Sequence, residues 1–440
     1  MNNYFDKLNT SLFSLLNKGE ILKTGMWGEN SQFIRINGAK IRQTGIVSDL
    51  SYNMALISNK RQTSYSLTIT GIFETDKSKL AFILNKLRND ITQIPEDPFI
   101  VYPQSNESSE EKFKGELLSP DDAIETLMPP MQGVDLTGLW ASGIIYTGVA
   151  NSEGQKHWFE TESFSLDYSL ITKDKKMVKD CFAGTHWNQK KYEQNILSSK
   201  NQLGLMNNAS IKIDPGKYKT YIAPAGVSDM IDMFSWGGIS ESSLQQKDSA
   251  LLKMRNENIE LSPCFTLVED FSNGMVPKFN SEGEISPETL PLIVSGTLKN
   301  TLVSSRTEKE YGIPSNFADE DEGLRSPKLE LGKLKENQIL ESIGTGVYLS
   351  NLHYLNWSDR LGGRVTGMTR YACFYVENGK IIAPIENMRF DDTIYNIFGD
   401  ELNAVTNFNQ LIPDVGTYDG RSFGGNYCPG ILLDNFTLTL

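Results

Sequence analysis

"GRVTGMTRYACFYVENGKIIAPIENMRF" (residues 363–390) carries the strongest fold signal in the chain. It reads as two strands joined by a turn at Glu377-Asn378-Gly379-Lys380, because Asn-Gly supplies the left-handed conformations that a tight hairpin needs. Pro384 in the second arm cannot donate a ladder hydrogen bond, which places that arm at an edge or a bulge. A sheet edge can accept an extended peptide as an added strand. On that reading Arg364, Thr366, Met368 and Arg370 lie where the peptide would pair. The same pattern also fits a core hairpin with one tolerated proline, and the two readings stay open.

Around this hairpin the C-terminal half is built of strand-like pieces divided by Gly-rich turns. They include "SPCFTLVEDF" (262–271), "PLIVSGTLKNTLVSS" (291–305) and "CPGILLDNFTLTL" (428–440). The N-terminal half mixes periods. "FIRINGAKIRQTGIVSDLSYNMALISNKRQTSYSLTITGIF" (33–73) predicts antiparallel strands turned at Asn37-Gly38 and at 58–62. Leu80, Ile83, Leu84, Leu87 and Ile91 form one helical stripe ended by Pro95. Residues 95–120 read as a surface excursion, 139–171 as a hairpin turned at "NSEG", and 187–204 as a helix. With 440 residues, two domains are expected. The fold class is α+β, with a domain boundary near residue 215.

Charge narrows the function. Lys plus Arg is 42 against 55 Asp plus Glu, a net charge of -13. Such a surface repels a phosphate backbone unless a basic stripe is held apart. The one dense basic run, "KDKKMVK" (173–179), is short and interrupted by acid, so no nucleic-acid partner is expected. No stretch reaches the roughly 20 apolar residues of a membrane span. The N-terminal twenty residues lack the basic region, apolar core and cleavage site of a secretory signal. The expectation is a cytoplasmic protein whose four cysteines, Cys181, Cys264, Cys373 and Cys428, are reduced.

No catalytic centre announces itself. His157, His186 and His353 are the only histidines, and none has a second within a helical turn. There is no GxSxG elbow, no phosphate loop and no EF-hand spacing in "ADEDEGLR" (318–325). Adjacent acids Glu269-Asp270 and Asp391-Asp392 would face opposite sides of a strand. "AGVSDMIDMFSWGGISE" (225–241) begins like a helix and ends in a Gly-Gly break. Its residues Asp229, Met230, Ile231, Met233, Phe234 and Trp236 leave little room for anything but packing.

The block "LNWSDRLGGRVTGMTRYACFYVENGKIIAPIENMRFDDTIYNIF" (355–398) resembles the C-terminal signature of the TldD/PmbA family, also labelled modulators of DNA gyrase. "FNSEGEISPETLPLIVSGTLKNTLVSSRTEKEYG" (279–312) resembles its central block, and "FIRINGAKIRQTG" (33–45) is similar to an N-terminal strand pair of some members. The resemblance implies a two-domain fold, an N-terminal α/β domain over 1–214 and a β-rich domain over 215–440, and association as dimers. It also implies two branches. The TldD branch is a zinc protease with a His-Glu-x-x-x-His helix and a cysteine ligand near the C-terminus. The PmbA (TldE) branch is its partner and lacks those ligands.

Here the corresponding window falls at 232–237, where Asp232, Met233, Phe234 and Trp236 replace the metal-helix residues. Cys428, followed by Pro429, is not assigned the cysteine's role. The resemblance therefore implies the partner branch. Such a chain has no catalytic residue and no cofactor of its own, zinc being expected only in a TldD-like metalloprotease subunit. It would help hold an extended peptide. The alternative is a metal-free homodimeric peptide-binding or regulatory protein.

Overall fold

The Asn378-Gly379 pair turns the chain as its chemistry requires. In the computed structural model, which describes residues 1–104, 106–415 and 420–440, both residues have positive φ (50° and 71°) and Glu377 pairs with Lys380. Gly38-Ala39 makes the equivalent turn between strands Ile21–Asn37 and Lys40–Ser58, and Asn59-Lys60 the next, into Arg61–Thr68. Two sheets result, and the fold is α+β.

The first sheet has seven strands. Its path runs Arg61–Thr68, Lys40–Ser58, Ile21–Asn37, Asp135–Asn151, Lys156–Ile171. The far edge is shared by two short strands placed end to end. Ser108–Phe113 runs parallel to the first part of Lys156–Ile171, and Met177–Gly184 runs antiparallel to the rest. The stretch 95–120 is thus more than a surface excursion, since it contributes that parallel edge strand. Helices Asn2–Phe13 and Phe73–Asp90 cover one region of the sheet, burying Phe5, Leu8, Leu80, Leu84 and Leu87 against Met26, Tyr52 and Trp158. Helices Ala123–Met131 and Gln189–Met206 cover another, around Trp140, Phe164 and Tyr168.

The second sheet has eleven strands, all between Gly216 and Leu438, with Gly425–Leu438 near its middle. Strand Arg364–Glu377 lies inside this sheet. One of its edges pairs with Gly346–Asp359 and the other with Arg389–Thr393 and Lys380–Pro384. The strand-addition reading is therefore corrected for Arg364, Thr366 and Met368, whose backbone already has a strand on both sides, whereas Arg370 pairs with Asn351 on one side. Pro384 does end an outer strand. The chain then crosses back at Met388, whose carbonyl accepts from the Thr369 N–H (2.8 Å), while the Ile385 N–H donates to the Cys373 carbonyl (3.0 Å).

Helix Pro224–Ser235 lies on the second sheet. Pro224 occupies its first turn, where a missing N–H costs nothing. Val227, Met230, Ile231 and Phe234 face the core, and the Phe234 ring meets Phe265 and Phe398 at centroid distances of 6.2 and 5.8 Å. Burying each of these side chains contributes about 1.5–3 kcal/mol.

Polar contacts tie the two sheets together. Arg421, only 9% exposed, enters the first sheet and donates to the Gly143 carbonyl (3.0 Å), the Ser163 carbonyl (2.8 Å) and the Ser163 hydroxyl (2.6 Å). Lys23 pairs with Glu282, and Arg306 with Asp97 at 2.7 Å. Among the described residues no helix is long and apolar enough to cross a membrane.

Candidate functional site

Between the sheets lies a cleft of about 750 Å³. One wall is the edge strand Met177–Gly184, through Lys179, Asp180 and Cys181. The opposite wall is helix Pro224–Ser235, which presents Ala225, Ser228, Asp229 and Asp232. Positions i, i+3, i+4 and i+7 share one face of a helix. This face is polar, while the face one step round is the apolar one already described. The same periodicity was present in the sequence, where Asp229 reads as packing. That reading is corrected: Asp229 lines the cleft.

The two aspartates are held from behind. Asp229 accepts the Leu352 N–H at 3.2 Å. Asp232 accepts from the Asn426 amide at 2.7 Å, and the same amide donates to the Ser228 hydroxyl at 2.8 Å. Burial raises the Asp229 pKa to about 7, with the Asp232 charge adding to the effect against the Leu352 hydrogen bond. Burial also raises that of Asp232, opposed by Asn426 and reinforced by Asp414. Asp232 itself stays open to the solvent of the cleft.

Across the cleft Asp180 is tied differently. It accepts from the Cys181 N–H (2.8 Å), Gln410 Nε2 (3.1 Å), Asn195 Nδ2 (3.0 Å) and Ser199 Oγ (3.0 Å). Burial still raises its pKa. Asp167, raised by burial, has Lys179 at 3.6 Å. Arg325, the other cation of the lining, donates to the Phe279 carbonyl (2.9 Å) and the Ser286 hydroxyl (2.9 Å) and lies 4.8 Å over the Phe271 ring.

The residues expected from sequence fall in different places. Of the 232–237 window only Asp232 faces the cleft. Met233 and Phe234 are buried in the core, and the helix ends at Ser235. Trp236 lies beyond that end, half exposed, its carbonyl accepting from Trp357. Arg364 pairs with Asp391 at 3.1 Å and the Thr366 hydroxyl donates to the Phe390 carbonyl, so both serve the sheet. Met368 sits opposite His353, and Arg370 opposite Asn351, a cleft residue. Burial, then the charges of Arg370 and Lys179, lower the His353 pKa.

Ser228 was missed although helical spacing sets it beside Asp229 and Asp232, whereas nothing local marks Asn351 and Asn426, which lie on strands far along the chain from the helix. Glu322, in the acidic loop 318–325, is also buried, accepting from the Ser240 hydroxyl and the Ser242 and Ser304 N–H groups. It organises chain, not ligand.

Zinc would need about three converging His, Cys or carboxylate ligands. Cys428 is buried beside the helix, and burial together with the Asp232 and Asp229 charges pushes its thiol pKa well up, away from the thiolate that a metal takes. No histidine joins the lining, and among the described residues no three such groups are placed to hold a metal ion. As arranged, these side chains do not fit a zinc site.

A sequence profile of the PmbA/TldA metallopeptidase C-terminal domain matches residues 215–440. No curated protein matches the chain. Solved structures that share its fold include the following three. A proposed modulator of DNA gyrase from Bacteroides thetaiotaomicron aligns with a TM-score of 0.80 at 16% identity, over 100% of this chain and 99% of that one. Another, from Thermotoga maritima, gives 0.77 at 14% identity over 99% and 100%. TldE from Thermococcus kodakarensis gives 0.76 at 14% identity, again over 99% and 100%.

Proposed function

Since this chain belongs to the TldD/PmbA family of metallopeptidases, we propose that it is a non-catalytic subunit of a heteromeric metalloprotease acting on unfolded or extended peptides. Its partner, a TldD-like subunit, supplies the zinc. One observation carries the reading: the helix facing the cleft offers a hydroxyl and two aspartates, with an amide behind them, and no histidine. A cleft of this size is in the range of ligand-binding sites, roughly 300–1,000 Å³, and its walls come from both sheets. The fold shared with TldE supports the same branch.

The test is cleavage of an unfolded peptide by the isolated chain, by a TldD-like partner, and by the two mixed. Activity that needs both supports the proposal, and full activity of the isolated chain defeats it.

A second reading, a metal-free homodimeric binding or regulatory protein, has its own support. Among the described residues, 41–49 of strand Lys40–Ser58 pair only on their inner edge, and Ile46 there is 63% exposed. Such an edge is a template for another strand. Size exclusion with and without the candidate partner separates the readings: a homodimer indifferent to the partner favours the second.

A further inference from the structure

We propose that the cleft selects a positively charged segment of peptide: Asp229 and Asp232 take the cationic side chain or terminal ammonium while Asn351 and Asn426 bond to the adjacent peptide backbone. The inference rests on the reading that this cleft holds a peptide, and it adds which peptide.

Charge is the first argument. Six carboxylates and two cations line the cleft, and both cations are already engaged within the protein. Lys179 lies beside Asp167, and Arg325 is occupied by two carbonyls, the Ser286 hydroxyl and Asp319. Asp229 and Asp232 have no cationic partner within salt-bridge reach among the described residues. They stand one helical turn apart on the same face, where two like charges disfavour each other until a cation sits between them.

Two buried amides give the second argument, independent of the first. Asn351 is 7% exposed and Asn426 9%, and both line the cleft. Asn351 uses its oxygen to accept from Ser350 (2.8 Å), and Asn426 uses its nitrogen to donate to Ser228 and Asp232. Among the described residues nothing bonds to the remaining amide atom of either. Asn351 thus keeps a donor and Asn426 an acceptor, which is what a peptide group offers in reverse. Both free atoms open onto the cleft and are not sealed inside the protein, so a ligand backbone can reach them and exchange their bonds to water for bonds to peptide.

The experiment uses the full-length chain and labelled, unstructured hexapeptides identical except for a central Lys, Gln or Glu, followed by fluorescence anisotropy. The lysine peptide is expected to bind at least about tenfold tighter than the glutamine one, the increment of a hydrogen bond to a charged group, and the glutamate peptide more weakly still. Salt should weaken the lysine peptide most. In Asp229→Asn/Asp232→Asn the lysine preference should vanish while the glutamine peptide keeps its affinity. Ala225→Trp, which fills the helix side of the cleft, should abolish binding of all three. Equal affinity for the three peptides would overturn charge selection and leave the peptide reading standing. A preference for glutamate would also overturn it. Failure of every peptide to bind at millimolar concentration would overturn both. Should the double variant fail to fold, the wild-type series and its salt dependence still decide.

Discussion

Asp180 and Asp229 stand on opposite walls of one cleft and are both raised in pKa by burial, yet they are built for different ends. Asp180 is surrounded by donors from the neighbouring backbone, from helix Gln189–Met206 and from strand Leu402–Pro413, which belongs to the other sheet. Asp229 has one backbone donor and a second carboxylate for a neighbour. A carboxylate whose lone pairs are consumed by the protein is a structural knot. One left underused, in a cavity, is available to something that arrives from outside.

The contrast can be broken by substitution. Asp180→Ala strands the Asn195, Ser199 and Gln410 groups and should destabilise the fold by roughly 2–4 kcal/mol, read as a loss of denaturation midpoint. An unchanged midpoint would remove the distinction. Arg421→Ala should cost about 3 kcal/mol, because its hydrogen-bonding partners in the first sheet are themselves buried. Limited proteolysis should then cut between the sheets sooner.

At pH 5, where burial keeps the Asp229 carboxyl protonated, Asp229→Asn should move stability by less than about 1 kcal/mol, since it exchanges one neutral group for a neutral isostere. Its effect belongs to ligand binding. A midpoint drop equal to that of Asp180→Ala would place Asp229 in the same structural class.

Stability should also depend on pH. Asp229 and Glu269 both have native pKa values near 7, against roughly 4 for unfolded carboxylates. Glu269 faces Arg325 and accepts the Arg325 and Ser326 N–H groups, but burial outweighs them. A raised carboxyl binds more protons folded than unfolded, so its stabilisation is complete below about pH 4 and is lost as pH rises towards 7. Thermal midpoints should therefore fall from pH 5 to pH 8, and Glu269→Gln with Asp229→Asn should flatten the slope. A rise over that interval would contradict the assignment.

Much of the fold was legible in the sequence because turns and stripes are local. The Asn-Gly turn at 378–379, the turn at 59–60 and the helical stripe from Leu80 to Ile91 each needed only neighbours in the chain. What failed was non-local. Nothing within Arg364–Glu377 tells that Arg389–Thr393 returns to close its edge, so the strand looked open. The zinc-helix window was set from a resemblance and ran past Ser235 into the Gly237 turn, whereas the polar positions 228, 229 and 232 show the face by spacing alone. Asn426 reaches that face across almost 200 residues, and no periodicity records it.

The account turns on whether this chain carries metal chemistry of its own. The direct measurement is zinc content of the purified chain after equilibration with excess zinc and desalting, with peptide cleavage assayed on the same sample. Well under one zinc per chain and no cleavage until a TldD-like subunit is added is the predicted result. One zinc per chain, with cleavage by the chain alone, would contradict it.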